Sequence, residues 1–194
     1  MKMSKLFGIT GGIGSGKSVV SQVLRLMGYA VYDCDSRAKQ LMNESGEIRR
    51  RLTAMFGSEL YKDGCLDRRL LSEKIFNDRG LLADVNAVVH PVVKDDLARW
   101  QRLQTGNACF VESAILHESG LDKMVSGVIR VDAPEELRIA RVVRRSGLSA
   151  QQVRERMANQ RVGTAEEMAR EYTVVNDECT PTLPQIMDFL VSNV

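Results

Sequence analysis

The sequence predicts an α/β fold in which helices cover both faces of a central parallel sheet. Five short apolar runs alternate with segments of helical periodicity, a pattern typical of parallel strands joined by helices. A glycine-rich loop, residues 11–18, lies between the first apolar run and the first helical segment. A long helical stretch, residues 44–106, interrupts the alternation after the second run. These observations predict a three-layer core that carries a helical insert.

The glycine-rich loop reads GGIGSGKS and fits the phosphate-binding pattern G-x-x-x-x-G-K-[ST]. Its glycines let backbone N–H groups point at phosphate oxygens, and the helix that follows adds its dipole. We expect Lys17 to reach the β- and γ-phosphates of ATP and Ser18 to bind Mg²⁺. A glycine-rich turn that matches by accident is the alternative, but the strand before the loop and the helix after it favour a P-loop NTPase fold. The expected nucleotide contacts are Gly11, Gly12, Ile13, Gly14, Ser15, Gly16, Lys17, Ser18 and Val19.

The second apolar run, residues 29–32, ends at a candidate catalytic carboxylate, Asp33. Ligands of open α/β sheets bind beyond the carboxyl ends of the strands, so Asp33 is expected at the same edge as the glycine-rich loop. A kinase that phosphorylates an alcohol needs a carboxylate to accept the hydroxyl proton, and Asp33 is the candidate for that base. The alternative role is a helix N-cap, which suits Asp35 better because Asp35 lies nearer the next helix.

The later apolar runs also end at polar residues. Residues 107–111 end at Glu112, in the position of the carboxylate that organises Mg²⁺ and its waters in P-loop enzymes. An edge carboxylate that bonds loop amides is the alternative for Glu112. Residues 127–131 end at Asp132, and residues 172–175 end at Asn176, where we expect a contact with the nucleotide. Acids, an amide and the phosphate loop thus converge on one sheet edge, as a phosphoryl-transfer site requires.

The helical insert, residues 44–106, occupies the place where nucleotide-kinase-like folds hold the phosphoryl acceptor, an inference by analogy of fold. Arg68 could bind an anionic acceptor, although an exposed pair with Arg69 is more often plain surface. His90 precedes Pro91, which predicts an interruption of the helix there and favours a structural role for the histidine.

An arginine-rich segment predicts a lid over residues 141–169. Seven arginines lie between positions 138 and 161, and Arg141 and Arg145 share one helix face. Such cations can close over a triphosphate and neutralise its developing charge. Two alternatives remain: cations also favour helix C-termini, and an arginine cluster could bind nucleic acid. Interspersed acids such as Glu135, Glu136 and Glu155 disfavour the nucleic-acid interpretation.

The composition of the 194-residue chain is that of an ordinary soluble protein, with 44% hydrophobic residues and a net charge of +2. The charge gives no indication of a nucleic-acid or membrane partner, and no apolar stretch approaches the ~20 residues of a membrane helix. Four cysteines lie far apart, which predicts reduced thiols and a cytoplasmic location. The expected partner is a small-molecule substrate.

These motifs resemble those of the dephospho-coenzyme A kinase family over nearly the whole chain. The resemblance rests on residues 10–18, Asp33-Cys34-Asp35, residues 63–69, His90-Pro91, residues 112–118, Arg141 with Arg145, Gln160 and Val175-Asn176. It implies phosphorylation of the ribose 3′-hydroxyl of dephospho-coenzyme A by ATP, the last step of coenzyme A biosynthesis. It also implies a core of residues 1–43, 107–140 and 170–194, an acceptor-binding subdomain of residues 44–106 and a lid of residues 141–169.

The resemblance implies that Asp33 is the base, and it adds weight to Arg68, Arg69 and His90 as acceptor-side or structural residues. Taken with the motifs above, we expect Asp33, Lys17 and Arg141 to be catalytic and Arg145 and Asn176 to join the loop in binding ATP. The expected acceptor-side residues are Asp33, Arg68, His90 and Glu112.

The sequence departs from the family pattern at Val19, at Glu112 to His117 and at Ser146. Another small-metabolite or nucleoside kinase, and more distantly a nucleotide-binding switch, are the alternative functions. A GTPase switch is disfavoured because the sequence lacks an N-K-x-D motif.

Overall fold

The computed structural model describes residues 3–76, 78–160 and 171–194. The chain forms two compact units: the first contains Met1–Asp33 and Gln101–Val194, and the second contains Cys34–Trp100. Within the described ranges, no helix is both long enough and apolar enough to cross a membrane.

The first unit is built on a five-stranded parallel sheet. Its strands are β1 (Lys5–Thr10), β2 (Ala30–Asp33), β5 (Ala108–Glu112), β6 (Val128–Asp132) and β7 (Tyr172–Val175). Their order across the sheet is β2-β5-β1-β6-β7. Each strand coincides with one of the apolar runs in the sequence, because a parallel strand covered on both faces must be apolar on both sides. The predicted central parallel sheet with flanking helices is confirmed.

Among the described residues, the helices that accompany this sheet are α1 (Lys17–Leu26), α6 (Glu135–Ser146), α7 (Ala150–Ala158) and α8 (Thr182–Asn193). The ring of Phe7 lies at the centre of the core, 5.7 Å from the Phe110 ring and 5.3 Å from the Phe189 ring, measured between centroids. Helix α7 begins with a capping box, in which the side chains of Ser149 and Gln152 accept from each other's backbone N–H groups. The core cluster comprises Phe7, Ile9, Val20, Leu24, Ala108, Phe110, Ile129, Val131, Val174, Ile186, Phe189 and Leu190.

The second unit is mostly helical. It contains α2 (Cys34–Glu44), α3 (Gly46–Phe56), a short hairpin of β3 (Tyr61–Lys62) and β4 (Cys65–Leu66), α4 (Arg68–Ile75) and α5 (Arg79–Arg102), whose last residues belong to the first unit. Arg37 on α2 makes a two-pronged ion pair with Asp96 on α5, with N–O distances of 2.8 and 2.9 Å. Because one planar guanidinium grips both carboxylate oxygens, this pair sets the relative position of the two helices.

Two helix boundaries differ from those that the sequence predicts. The interruption expected at His90-Pro91 does not occur, because α5 continues through Pro91. The buried side chains of Val88, Val89 and Val93 on either side of Pro91 hold the helix together, and this packing outweighs the hydrogen bond that proline removes. Helix α2 begins directly after β2, so Asp35 lies in its first turn and not at its cap.

Candidate active site

The glycine-rich loop connects β1 to α1 and ends at Gly16, the N-cap of α1, which has a left-handed backbone with φ of 99°. Gly14 also has a positive φ of 80°, and a Cβ atom at this position would lie 2.5 Å from the carbonyl oxygen of Arg138. Both positions therefore need glycine, for backbone conformation and for the close approach of α6. The loop backbone is compact, and the N–H of Ser15 donates to the carbonyl of Gly12 at 3.1 Å.

The ammonium of Lys17 lies against the start of the loop. Its Nζ donates to the carbonyl oxygen of Gly11 at 2.8 Å and to that of Gly12 at 3.3 Å. A lysine held over the mouth of a phosphate loop supplies a point charge for a phosphate oxygen. Ser18 and Val19 follow in the first turn of α1, both exposed, and the Val19 N–H donates to the Gly16 carbonyl at 2.9 Å.

Asp33 and Glu112 lie side by side at the carboxyl edge of the sheet. They are register partners in the β2–β5 pairing, and Glu112 is also level with Ile9 in the β1–β5 pairing. Both are partly buried. This register agrees with the expectation that Asp33 and Glu112 lie at the sheet edge where the phosphate loop begins. Asp132, at the end of β6, is exposed.

Asn176 follows β7 and binds the outside of the phosphate loop. Its Nδ2 donates to the carbonyl of Ser15 at 2.8 Å, and its backbone N–H donates to the carbonyl of Asp132 at 2.8 Å. The side chain thus reaches the loop through a carbonyl on the outer side of the loop. This contact joins the end of β7 to the loop that follows β1.

Arg141 on α6 lies against the same outer side. Its Nη2 donates to the carbonyl of Asn176 at 3.0 Å and to Glu178 at 3.1 Å, while Nη1 lies 3.5 and 3.4 Å from the carbonyls of Gly14 and Ser15. In this state the guanidinium braces the loop. Arg145 is exposed in the last turn of α6, where a cation favours the helix C-terminus. The remainder of the predicted lid, residues 161–169, lies outside the described residues.

Two side chains, Gln160 and Arg138, hold Ile13 in the loop, and local sequence patterns assign neither of them a role. Gln160, which entered only through the family resemblance, accepts from the Ile13 N–H at 2.8 Å, and Arg138 donates to the Ile13 carbonyl at 2.9 Å. These contacts join positions 147 and 125 residues apart. No local pattern could have indicated them.

A cavity of roughly 370 Å³ lies beside the start of the phosphate loop. Its lining includes Gly11, Gly12, Glu118, Arg138, Arg154 and Gln160. It is therefore continuous with the loop and bears both signs of charge.

A buried charge cluster lies in the wall of this cavity, and the sequence did not indicate it. The Glu171 side chain is only 2% exposed, and its carboxylate lies 2.6 Å from Nε2 of His117 and 3.5 Å from Nη1 of Arg130. A buried carboxylate needs such partners, because an unpaired charge in the interior is strongly destabilising. The cluster ties the segment after β5 to the residue before β7.

Arg68 and His90 lie in the second unit. Arg68 begins α4 and donates to the carbonyl of Lys39 at 3.2 Å. Burial lowers the pKa of His90, and the neighbouring Lys94 lowers it further, so the neutral imidazole is favoured. The exposed side chain of Arg69 forms an ion pair with Glu73 on the surface of α4.

The oxygen atoms at the sheet edge suit Mg²⁺. The hydroxyl of Ser18 and the carboxylates of Asp33 and Glu112 are hard donors of the kind that this ion prefers. Among the described residues no three His, Cys, Asp or Glu side chains are grouped closely enough to hold a metal ion. A magnesium ion here would therefore take most of its ligands from phosphate oxygens and water, which is usual for Mg²⁺ in kinases.

Comparison with known proteins places this geometry in a family. The family model described as dephospho-CoA kinase matches residues 5–181. The dephospho-CoA kinase of Porphyromonas gingivalis is 45% identical over 181 residues, which cover 93% of this chain and 90% of the relative.

Solved structures agree with the fold. TT1252 from Thermus thermophilus superposes with a TM-score of 0.82 at 34% identity, covering 98% of this chain and 96% of the other. Dephospho-CoA kinase from Campylobacter jejuni, at 23% identity, has a TM-score of 0.66 and covers 98% and 96% of the two chains.

Proposed function

The chain belongs to the dephospho-CoA kinase family and is an ATP-dependent kinase, and from this premise we propose which residues transfer the γ-phosphoryl group of ATP to the ribose 3′-hydroxyl of dephospho-coenzyme A. The observation that carries the proposal is the register of three parallel strands. Strand β5 pairs with both β1 and β2, so Glu112 is level with Ile9 on one side and Asp33 on the other. The phosphate loop begins directly after β1, so Glu112 and then Asp33 follow in order on one side of the point where the γ-phosphate would lie.

The phosphate loop and Lys17 bind the triphosphate. The backbone N–H groups from Gly14 onward surround the β-phosphate, and the α1 dipole favours the negative charge. Lys17 exchanges its carbonyl partners for β- and γ-phosphate oxygens. As charge moves onto the β–γ bridging oxygen during transfer, the same ammonium stabilises it, which makes Lys17 catalytic as well as binding.

Asp33 accepts the proton of the 3′-hydroxyl as that oxygen attacks the γ-phosphorus in line with the leaving ADP. A neighbouring carboxylate at Glu112 keeps negative charge near Asp33 and orients the acceptor hydroxyl. Mg²⁺, bound through Ser18 and phosphate oxygens, would supply charge neutralisation on the β- and γ-phosphates. General-base catalysis of this kind typically contributes about 10²–10⁴-fold in rate.

Arg68 and His90 are the residues that we propose for further contacts with the acceptor. Arg68 offers a guanidinium for an anionic group, and His90, whose pKa is lowered by burial, offers a neutral imidazole. A cytoplasmic location belongs to the proposal and is supported by four cysteines that form no disulfide, Cys34, Cys65, Cys109 and Cys179.

The experiment that tests the proposal is a coupled assay of ADP and coenzyme A formation with Mg-ATP and dephospho-coenzyme A. We expect turnover by the wild type and a loss of at least about 100-fold in kcat for Asp33→Asn, which keeps the shape of the side chain and removes its basicity. Asp35→Asn, the same change two residues away in the first turn of α2, is the matched control and should stay within about twofold.

Near-full activity of Asp33→Asn would refute the base assignment. Turnover of a nucleoside in place of dephospho-coenzyme A would refute the acceptor assignment and leave a small-molecule kinase.

A further inference from the structure

We infer that Gln160 is a positioning residue of the phosphate loop, and that the backbone N–H of Ile13 is held by this side chain and is not a ligand of the nucleotide. The motif G-x-x-x-x-G-K-[ST] counts Ile13 among the nucleotide contacts. The inference rests on the proposed function, because its consequence for catalysis depends on ATP binding to this loop.

Both polar groups of the Ile13 backbone are occupied from outside the loop. The N–H donates to Oε1 of Gln160 at 2.8 Å, and the carbonyl accepts from Nε of Arg138 at 2.9 Å. Both distances are those of good N–H···O bonds. The peptide groups on either side of Ile13 are thereby held in one orientation by two side chains.

The Ile13 side chain is held by the same part of the fold. It packs against the apolar cluster formed by Ile139 and Val142 of α6 and Val153 of α7. Backbone and side chain of Ile13 therefore attach the phosphate loop to α6, to α7 and to Gln160, which follows α7. A residue engaged in this way is an anchor of the loop.

Gln160 uses the other end of its amide to reach a second loop. Its Nε2 donates to the carbonyl of Ala114 at 3.1 Å, in the segment that follows β5 and Glu112. The two partners determine the orientation of the amide, because the Ile13 N–H needs an acceptor and the Ala114 carbonyl needs a donor. One side chain thus joins the loops that leave β1 and β5, the strands whose ends carry the phosphate loop and the Glu112 carboxylate.

This bridge has a consequence for catalysis. With Ile13 held, the loop N–H groups from Gly14 onward keep their direction without the nucleotide, so ATP binding does not have to order them. Loss of the bridge should therefore weaken ATP binding and leave the affinity for the acceptor unchanged.

The test compares Gln160→Met, Gln160→Glu and the control Gln151→Met. Methionine keeps the length of Gln160 and removes both bonds, whereas glutamate can still accept from the Ile13 N–H and cannot donate to Ala114. Gln151 is exposed on α7 and bonds Glu155 on the next turn, so its replacement by methionine matches the chemical change away from the loop.

We expect the hydrogen-exchange protection of the Ile13 amide, measured by NMR on the nucleotide-free protein, to be present in the wild type and in Gln160→Glu. In Gln160→Met that protection should be lost while the protection of the central strands is unchanged. We also expect Gln160→Met to raise KM for ATP about tenfold, because it removes the part-buried bonds to Ile13 and Ala114, with KM for dephospho-coenzyme A unchanged.

Fast exchange of the Ile13 amide in the wild type, or wild-type KM for ATP in Gln160→Met, would overturn the inference. The exchange experiment needs no acceptor, so it still tests the role of Gln160 if the wild type proves to phosphorylate a different alcohol. Failure of the wild type to turn over dephospho-coenzyme A would instead refute the proposed function.

Discussion

Replacement of Arg141 by alanine tests how the phosphate loop is supported from outside. The arginine side chain is 18% exposed and its guanidinium meets the carbonyl of Asn176 and the carboxylate of Glu178. Alanine removes all of these contacts and leaves the carbonyls of Gly14, Ser15 and Asn176 with fewer donors.

The expected size of the effect follows from the individual contacts. The bond to the Asn176 carbonyl, at 3.0 Å, is well formed and contributes about 1 kcal/mol. Glu178 is 61% exposed, so its ion pair with Arg141 adds about 0.2–1 kcal/mol. The contacts to Gly14 and Ser15, at 3.5 and 3.4 Å, are too long to add much. The total is about 1–2 kcal/mol, which corresponds to a loss of about 5- to 30-fold in kcat/KM for ATP.

The assay is steady-state kinetics with ATP varied, together with a thermal unfolding curve. We expect Arg141→Ala to lose catalytic efficiency while the protein remains folded, and Glu178→Gln to lose less than about fivefold because that pair is exposed. An Arg141→Ala variant with wild-type kcat/KM would refute the reasoning and show that Arg141 does not support the phosphate loop. A loss greater than about 100-fold would show that Arg141 also contacts the transferring phosphoryl group, a role that bracing alone does not explain.

Two further predictions concern the backbone and the thiols. Gly14→Ala should abolish ATP binding and lower the melting temperature, because a Cβ would meet the carbonyl of Arg138 and the backbone has φ of 80°. Gly46→Ala is the control, since a Cβ at that position meets nothing within 4 Å. A melting temperature of Gly14→Ala equal to that of the wild type would contradict the geometry. Cys34 and Cys109 are buried, and burial raises the pKa of Cys109 to about 11. At pH 8 the native protein should therefore react with a thiol reagent at two cysteines and the unfolded protein at four. Mass spectrometry of the labelled protein should show slow labelling of Cys109. The thiols expected to react in the native protein are Cys65 and Cys179.

Much of the fold and part of the site could be predicted because the signals are local. A strand buried on both faces must be continuously apolar, so each strand of the sheet stands out in the sequence. The phosphate loop stands out because its backbone conformation requires glycine at defined spacings. The neighbourhood of Asp33 and Glu112 followed from a general rule, since parallel strands present their carboxyl ends at one edge.

Local signals failed where packing decided between conformations. Pro91 predicted an interruption of α5, and the helix continues because its buried valines gain more from packing than proline costs. The lid predicted from the arginines of α6 stays a prediction. Its arginine pattern did not indicate that Arg141 contacts the backbone carbonyl of Asn176 and the carboxylate of Glu178, because both partners follow β7.

The sequence by itself determined that this chain has a phosphate loop, a parallel sheet and carboxylates at the ends of its strands. Only the tertiary structure decided the strand order β2-β5-β1-β6-β7, the attachment of Ile13 to Gln160 and the burial of Glu171 between His117 and Arg130. The physical reason is distance along the chain. Periodicity and spacing report on neighbours within a few turns of helix or strand, whereas contacts such as Ile13 with Gln160 join residues 147 positions apart and form only when the whole unit packs.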